Sequence, residues 1–188
     1  MMDIQELIER LVQQQPIEYK ELPSIPLYMD QITTFLEERM RDGTGAGEER
    51  RPTKTMINNY TKAGVLPPPE KKKYSREHVL LLILLCQMKP TLSIADIGKF
   101  TAQLRQTAGS AAELRQFYEQ FLKLDRECRT SFYAMIEQQY QQIRASLGEQ
   151  GMEKQAALMY ALLLADHAAE EKRLAELILD QERSETDS

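Results

Sequence analysis

The sequence predicts an all-α fold with a minimal β wing, ending in a long C-terminal helical hairpin. Apolar residues recur at three-four spacing through most of the 188 residues. Capping residues and glycine or proline breakers punctuate those runs at helix-length intervals. A single compact proline-and-lysine stretch, Pro67 to Tyr74, separates two of the helical patterns and supplies the wing.

The first helix is expected over 3–14. Asp3 and Glu6 make a capping-box-like start, and Ile4, Leu7, Ile8, Leu11 and Val12 share one face. Pro16 closes it, and Pro23 and Pro26 mark an extended connector. Ile32, Phe35, Leu36 and Met40 define a second helix over about 29–41, and the glycine-rich run 42–49 reads as a flexible loop. Thr53 is the expected N-cap of a third helix through Ala63, with Gly64 as the left-handed residue that ends it. Val65-Leu66 and Lys72-Lys73-Tyr74 are the expected short strands, placed around Pro67-Pro68-Pro69-Glu70.

Ser75 caps a helix to about Met88, apolar on every side and therefore expected at the centre of the core. Lys89-Pro90 stops it. Ser93 and Asp96 start a helix over 94–107 that should carry Ile94, Ile97, Phe100 and Leu104 inward. After Gly109-Ser110, one pattern runs from Leu114 to Ile143 and another from Ala156 to Ile178, with Gly148 and Gly151 at the turn between them. That arrangement predicts an antiparallel hairpin whose seam is too aromatic and alanine-rich for a regular coiled coil. The division expected is 1–108, 109–183 and a disordered tail, 184–188.

Composition sets the function class. An apolar fraction of 42% with 28% charged residues describes a globular chain. The longest apolar run, Val79 to Cys86, is far below the ~20 residues of a membrane span. Asp3, Glu6 and Glu9 near the start argue against a secretory leader. Cys86 and Cys128 read as buried thiols in helices rather than a disulfide, so a cytoplasmic location is expected.

Net charge is −5, yet it is unevenly distributed. Residues 50–89 hold nine Lys or Arg against two acids, a local balance of +7, while the remainder holds 15 basic and 27 acidic residues. A basic island in an acidic chain is a local electrostatic footprint for a polyanion.

The island coincides with a recognition pattern. In the helix 53–63, Ile57 and Tyr60 face a core, while Thr53, Lys54, Thr55, Asn58, Asn59 and Lys62 form the polar side. Such side chains donate to phosphates or read base edges, asparagine favouring adenine. Lys71, Lys72 and Lys73 on the wing would lie along the sugar-phosphate backbone. Tyr60 reads as a core residue and Tyr74 as an anchor of the wing; both are included with Arg76 in the candidate DNA-binding set.

Ile57-Asn-Asn-Tyr-Thr-Lys-Ala-Gly-Val-Leu-Pro-Pro-Pro69 resembles the MerR-type winged helix-turn-helix signature. That signature has an apolar residue, an arginine, two aromatics, a few polar residues, then Gly-Leu-Leu-Pro-Pro. Tyr74 matches the tyrosine that ends the wing, and Leu92-Ser93-Ile94-Ala-Asp-Ile97 matches the leucine-serine-leucine entry to a following helix. More narrowly, the chain is similar to an uncharacterised bacterial domain-of-unknown-function family with this MerR-like region, over roughly residues 22–105. Two departures stand out. Asn58 and Asn59 occupy the usual arginine and aromatic positions, and the loop 42–49 makes the helix connection longer than the usual turn. The resemblance implies DNA-binding transcription regulation and a homodimer formed through residues 110–180.

Other chemistry finds little support. Gly43-Thr-Gly-Ala-Gly47 lacks the Gly-Lys-Ser/Thr ending of a phosphate loop. His78 and His167 have no second ligand at metal spacing. No nucleophile is paired with a histidine by motif, so neither an enzyme nor a cofactor is expected. The C-terminal part lacks the effector-sensing cysteines or aromatic cage from which an effector could be named. The expectation is a DNA-binding regulator; the alternative is a helical adaptor that keeps the fold and binds protein through 110–180.

Overall fold

The computed structural model describes residues 4–12, 16–40 and 51–186. Among them are seven α-helices and one antiparallel strand pair: α1 (Ile4–Val12), β1 (Leu27–Tyr28), α2 (Met29–Arg39), α3 (Lys54–Lys62), β2 (Lys73–Tyr74), α4 (Arg76–Met88), α5 (Ile94–Thr107), α6 (Ala111–Glu149) and α7 (Ala156–Thr186). The expected Asp3 cap and the loop 42–49 lie outside the described residues. So do residues 187–188 of the tail, while α7 continues through 184–186, where the tail was expected to begin.

Helix α4 is the centre of the larger core. Val79 to Cys86 are all buried, packed among Ile32, Leu36, Ile57, Leu66, Ile97 and Leu104. At roughly 1.5–3 kcal/mol for burying each large aliphatic side chain, this one helix contributes a large share of the stabilising term. The helix starts follow local chemistry. The Ser93 hydroxyl accepts from the Asp96 N–H at 3.2 Å. At α6, Ser110 and Glu113 cap each other, through Glu113 N–H to Ser110 Oγ at 3.2 Å and Ser110 N–H to Glu113 Oε2 at 2.9 Å.

Two clusters divide the chain differently from the expected break at 108. The larger takes in Leu114, Tyr118 and Leu122 from the N-terminal part of α6, and Tyr118 Oη donates to the Ile17 carbonyl at 2.6 Å. The segment 16–22 straps this assembly. The guanidinium groups of Arg76 and Arg115 both lie over the Tyr19 ring, at 5.0 and 4.6 Å from its centroid. The smaller cluster joins Ile4 of α1 to Ile136 and Tyr140 of α6 and Tyr160 of α7. Helix α6 therefore belongs to both cores, and α1 sits with the hairpin rather than with the helices that follow it in sequence.

The hairpin forms as expected, its turn set by Gly151 at φ 72°. Gly148 stays inside α6. The distal end of α7 returns to α5. Lys99 bridges Asp96 at 2.8 Å and Asp180 at 2.6 Å, and Gln103 Nε2 donates to the Leu179 carbonyl at 3.1 Å.

Three packing expectations need correction. Ile94, the first residue of α5, is 47% exposed rather than inward. Leu7, Leu11, Leu124, Phe132, Met135, Leu174, Leu177 and Ile178 are exposed, although their spacing put them in apolar seams. Cys128 is an exposed free thiol on the outer side of α6 rather than a buried one. Cys86 is buried and free, and burial pushes its pKa up to about 12.

Candidate nucleic-acid interface

Helix α3 has only nine residues, too few to stand alone in water, and depends on its caps and buried face. Thr53 Oγ1 accepts from the Met56 N–H at 3.2 Å. Ile57 and Tyr60 are buried. Gly64 at φ 71° turns the chain back, so that the N–H groups of Val65 and Leu66 both reach the Tyr60 carbonyl, at 2.9 and 3.1 Å. From α5, Arg105 Nη2 donates to the Gly64 and Val65 carbonyls at 3.1 and 2.7 Å and locks this end.

Burying one side of α3 turns the other outward. Thr55, Asn58, Asn59 and Lys62 lie at i, i+3, i+4 and i+7, one continuous exposed stripe, with Thr53 and Lys54 also exposed at its start. Lys54 is ion-paired with Asp30 of α2.

The wing departs from expectation. Val65 and Leu66 form no strand; they plug the core, Leu66 with no exposed surface. Instead β2 pairs antiparallel with β1, in the register Leu27↔Tyr74 and Tyr28↔Lys73. Ahead of β2 is a tight turn closed by Lys73 N–H to the Glu70 carbonyl at 2.8 Å, with Lys71 at φ 48° and Lys72 at φ 65°. Two central residues at positive φ are the pattern of a type I′ turn, normally made by Asn-Gly because a β-carbon there crowds the backbone. Two lysines in that conformation store strain at the tip.

The strand pair fixes where that tip stands. Lys73 Nζ lies 5.0 Å from the Tyr28 ring centroid, and Tyr28 is followed two residues on by the Asp30 that holds Lys54. Strand β1 and the start of α2 thus link the lysine turn to the N-terminal end of α3, and Lys71, Lys72 and Lys73 are all exposed.

Three expected contact residues are engaged elsewhere. Tyr60 and Tyr74 are buried, and burial raises both phenol pKa values. Arg76 donates through Nε to the Pro23 carbonyl and through Nη2 to the Leu22 carbonyl, both at 3.0 Å. Tyr28, Asp30 and Arg105 are the positioning residues that sequence reading missed, since nothing local foretells a bond across 40 residues.

His78 lies beneath the turn. Its Nδ1 accepts from the Ser75 N–H at 3.1 Å, its Nε2 faces the Pro67 and Pro68 carbonyls without a well-formed hydrogen bond, and its ring meets Tyr74 edge-on at 5.6 Å. Burial holds its pKa below the ordinary 6.5, against the opposing pull of those carbonyls, Glu77 and Glu70. Folding therefore favours neutral His78. Its stabilisation is complete above the unfolded pKa and is lost as pH falls through the lowered folded value. Thermal midpoints should drop on acidification below about pH 6.5, before the carboxylates titrate near about pH 4. A His78→Gln variant should be flatter in that window, and superimposable curves for the two proteins would count against this role.

Among the described residues, no three His, Cys, Asp or Glu side chains gather as a metal site, and no helix is long and apolar enough to cross a membrane.

Compared with known protein families, residues 17–121 match the one described as Domain of unknown function (DUF1836). The match runs past the expected 22–105 into the first turns of α6, the part that completes the larger core. No curated protein and no solved structure matches the chain.

Proposed function

We propose, from the premise that this chain belongs to the family described as Domain of unknown function (DUF1836), that it binds double-stranded DNA in the manner of a MerR-like winged helix-turn-helix regulator. Helix α3 enters the major groove by its 55/58/59/62 stripe, α2 is the supporting helix, and the lysine turn rests on the adjacent backbone. One observation carries this reading. Lys71 and Lys72 hold a left-handed conformation at an exposed tip, joined to the start of α3 through Tyr28 and the Lys54–Asp30 pair, where Asn-Gly would serve the fold better. Phosphate contact repays that strain. Thr53, Lys54, Thr55 and Lys62 extend the polar face, while Tyr60, Tyr74 and Arg76 hold it in place from within.

The test is duplex binding by wild type and a Lys71/Lys72/Lys73→Ala variant over a salt series. Each phosphate contact contributes about 0.9 to the log–log salt slope, so the variant should bind more weakly and with a slope shallower by about 2.7. Equal affinity and slope would reject the contact.

A homodimer completes the reading. Exposed apolar side chains concentrate on the hairpin, with Leu158 at 75%, Leu162 at 71% and Leu174 at 59%. A second copy covering them also accounts for the feature that favours the adaptor alternative. Light scattering should give twice the chain mass; a monomer at high concentration would contradict it.

A further inference from the structure

We infer that the outward stripe of α3 selects A·T base pairs, with Asn58 and Asn59 reading adenine through its N6 and N7 edge in the major groove. The inference rests on the duplex-docking reading above and adds the base preference to it.

Asn58 and Asn59 are poor residues for the middle of a nine-residue helix, because their amides compete with the backbone for hydrogen bonds. Both are exposed, and neither amide takes part in a side-chain hydrogen bond among the described residues. They weaken the helix without a return to the fold. Adjacent positions that break a local rule without structural gain are where function is expected to lie.

Chemistry then narrows the target. Asparagine presents one donor and one acceptor side by side, matching the N7 acceptor and N6 donor of adenine. The usual guanine reader is arginine, and among the described residues the arginines around α3 are committed elsewhere. Arg51 lies 4.0 Å from Glu37, Arg76 binds the Leu22 and Pro23 carbonyls, and Arg105 binds the Gly64 and Val65 carbonyls. Lys54, paired with Asp30 at the start of the helix, and Lys62, in the last turn, flank the two asparagines as point charges suited to phosphate. Thr55 adds a methyl group, and the hollow beside Asn59 is lined by Met56, Tyr60, Leu92, Ile94 and Ile97 together with Lys89. Such apolar surface suits the thymine methyl.

The experiment compares three duplexes of equal length at one low salt concentration: A·T-rich, G·C-rich, and the A·T-rich duplex with 7-deazaadenine in place of adenine. The modified base loses N7 and leaves the phosphates and minor groove unchanged. Wild type should favour the A·T-rich duplex by about 5-fold or more, the lower end for a single bidentate contact. 7-Deazaadenine should erase most of that preference. An Asn58→Ala/Asn59→Ala variant should bind all three alike, with a thermal midpoint no lower than wild type. Equal wild-type affinity for A·T and G·C, a G·C preference through Lys62, or a preference that survives both changes would overturn the base assignment while leaving duplex docking intact. Failure to bind any duplex would overturn both.

Discussion

Replacing Lys71 by Asn and Lys72 by Gly should make the protein more stable and a poorer DNA binder at once. The backbone supplies the first half. A left-handed L-residue costs roughly 1–2 kcal/mol, and Asn-Gly relieves most of this in a type I′ turn. Allowing for partial relief at Asn and the larger unfolded-state entropy of Gly, the gain is about 1–2 kcal/mol. For a chain of this length, that raises the thermal midpoint by about 2–8 °C. Electrostatics supplies the second half. Two cations leave the tip, so the salt slope of duplex binding should shrink by about 1.8. The opposite signs make the test informative, because lost affinity in a more stable protein cannot be blamed on unfolding. A stabilised variant with unchanged affinity would show that the lysines serve something other than duplex docking.

The second large effect concerns where the first folding unit ends. A fragment of residues 16–108 should fail to fold cooperatively, whereas 16–123 should melt in a single transition. The shorter fragment lacks Leu114, Tyr118 and Leu122, all buried against α4 and its neighbours, together with the Tyr118 bond to the Ile17 carbonyl. Losing one large core side chain typically costs about 2–5 kcal/mol. Three such losses are comparable with the entire ~5–15 kcal/mol stability of a domain. Circular dichroism melts of the two fragments decide the matter. A cooperative melt for 16–108 would mean that α6 merely leans on this core.

Much of the fold could be read directly from the residues, for reasons that are local. Thr53 and Gly64 bound α3, Ser93 starts α5, and an eight-residue apolar run can only be a core helix or a buried strand, which Ser75 and the helical length settle. The misreadings share a different origin. The β1–β2 pair joins residues more than 40 apart through two-residue strands, too short to show alternation, so the partner of Lys73 was invisible. Val65-Leu66 look the same in sequence whether they extend a sheet or fill a core; the Gly64 reversal and the Arg105 clamp decide for the core.

The candidate site divides along the same line. The outward stripe of α3 follows from helical spacing once Ile57 and Tyr60 face inward. The fates of Tyr60, Tyr74 and Arg76 depend on neighbours that arrive from α2, α4 and the 16–22 strap. Apolar spacing along α6 and α7 marked a face without telling what covers it, which is why Leu124, Phe132 and Leu174 emerge exposed. The strained lysine turn could not be foreseen, since the sequence gives no hint that Lys71 and Lys72 adopt positive φ.

The most direct test of the account is the salt dependence of wild-type binding to a mixed-sequence duplex. With the three turn lysines and a further one to three contacts from α3, log affinity should fall linearly with log salt at a slope of about −4 to −5. Measurable affinity at low salt with that slope is the predicted result. No binding at low salt, or affinity indifferent to salt, would contradict it.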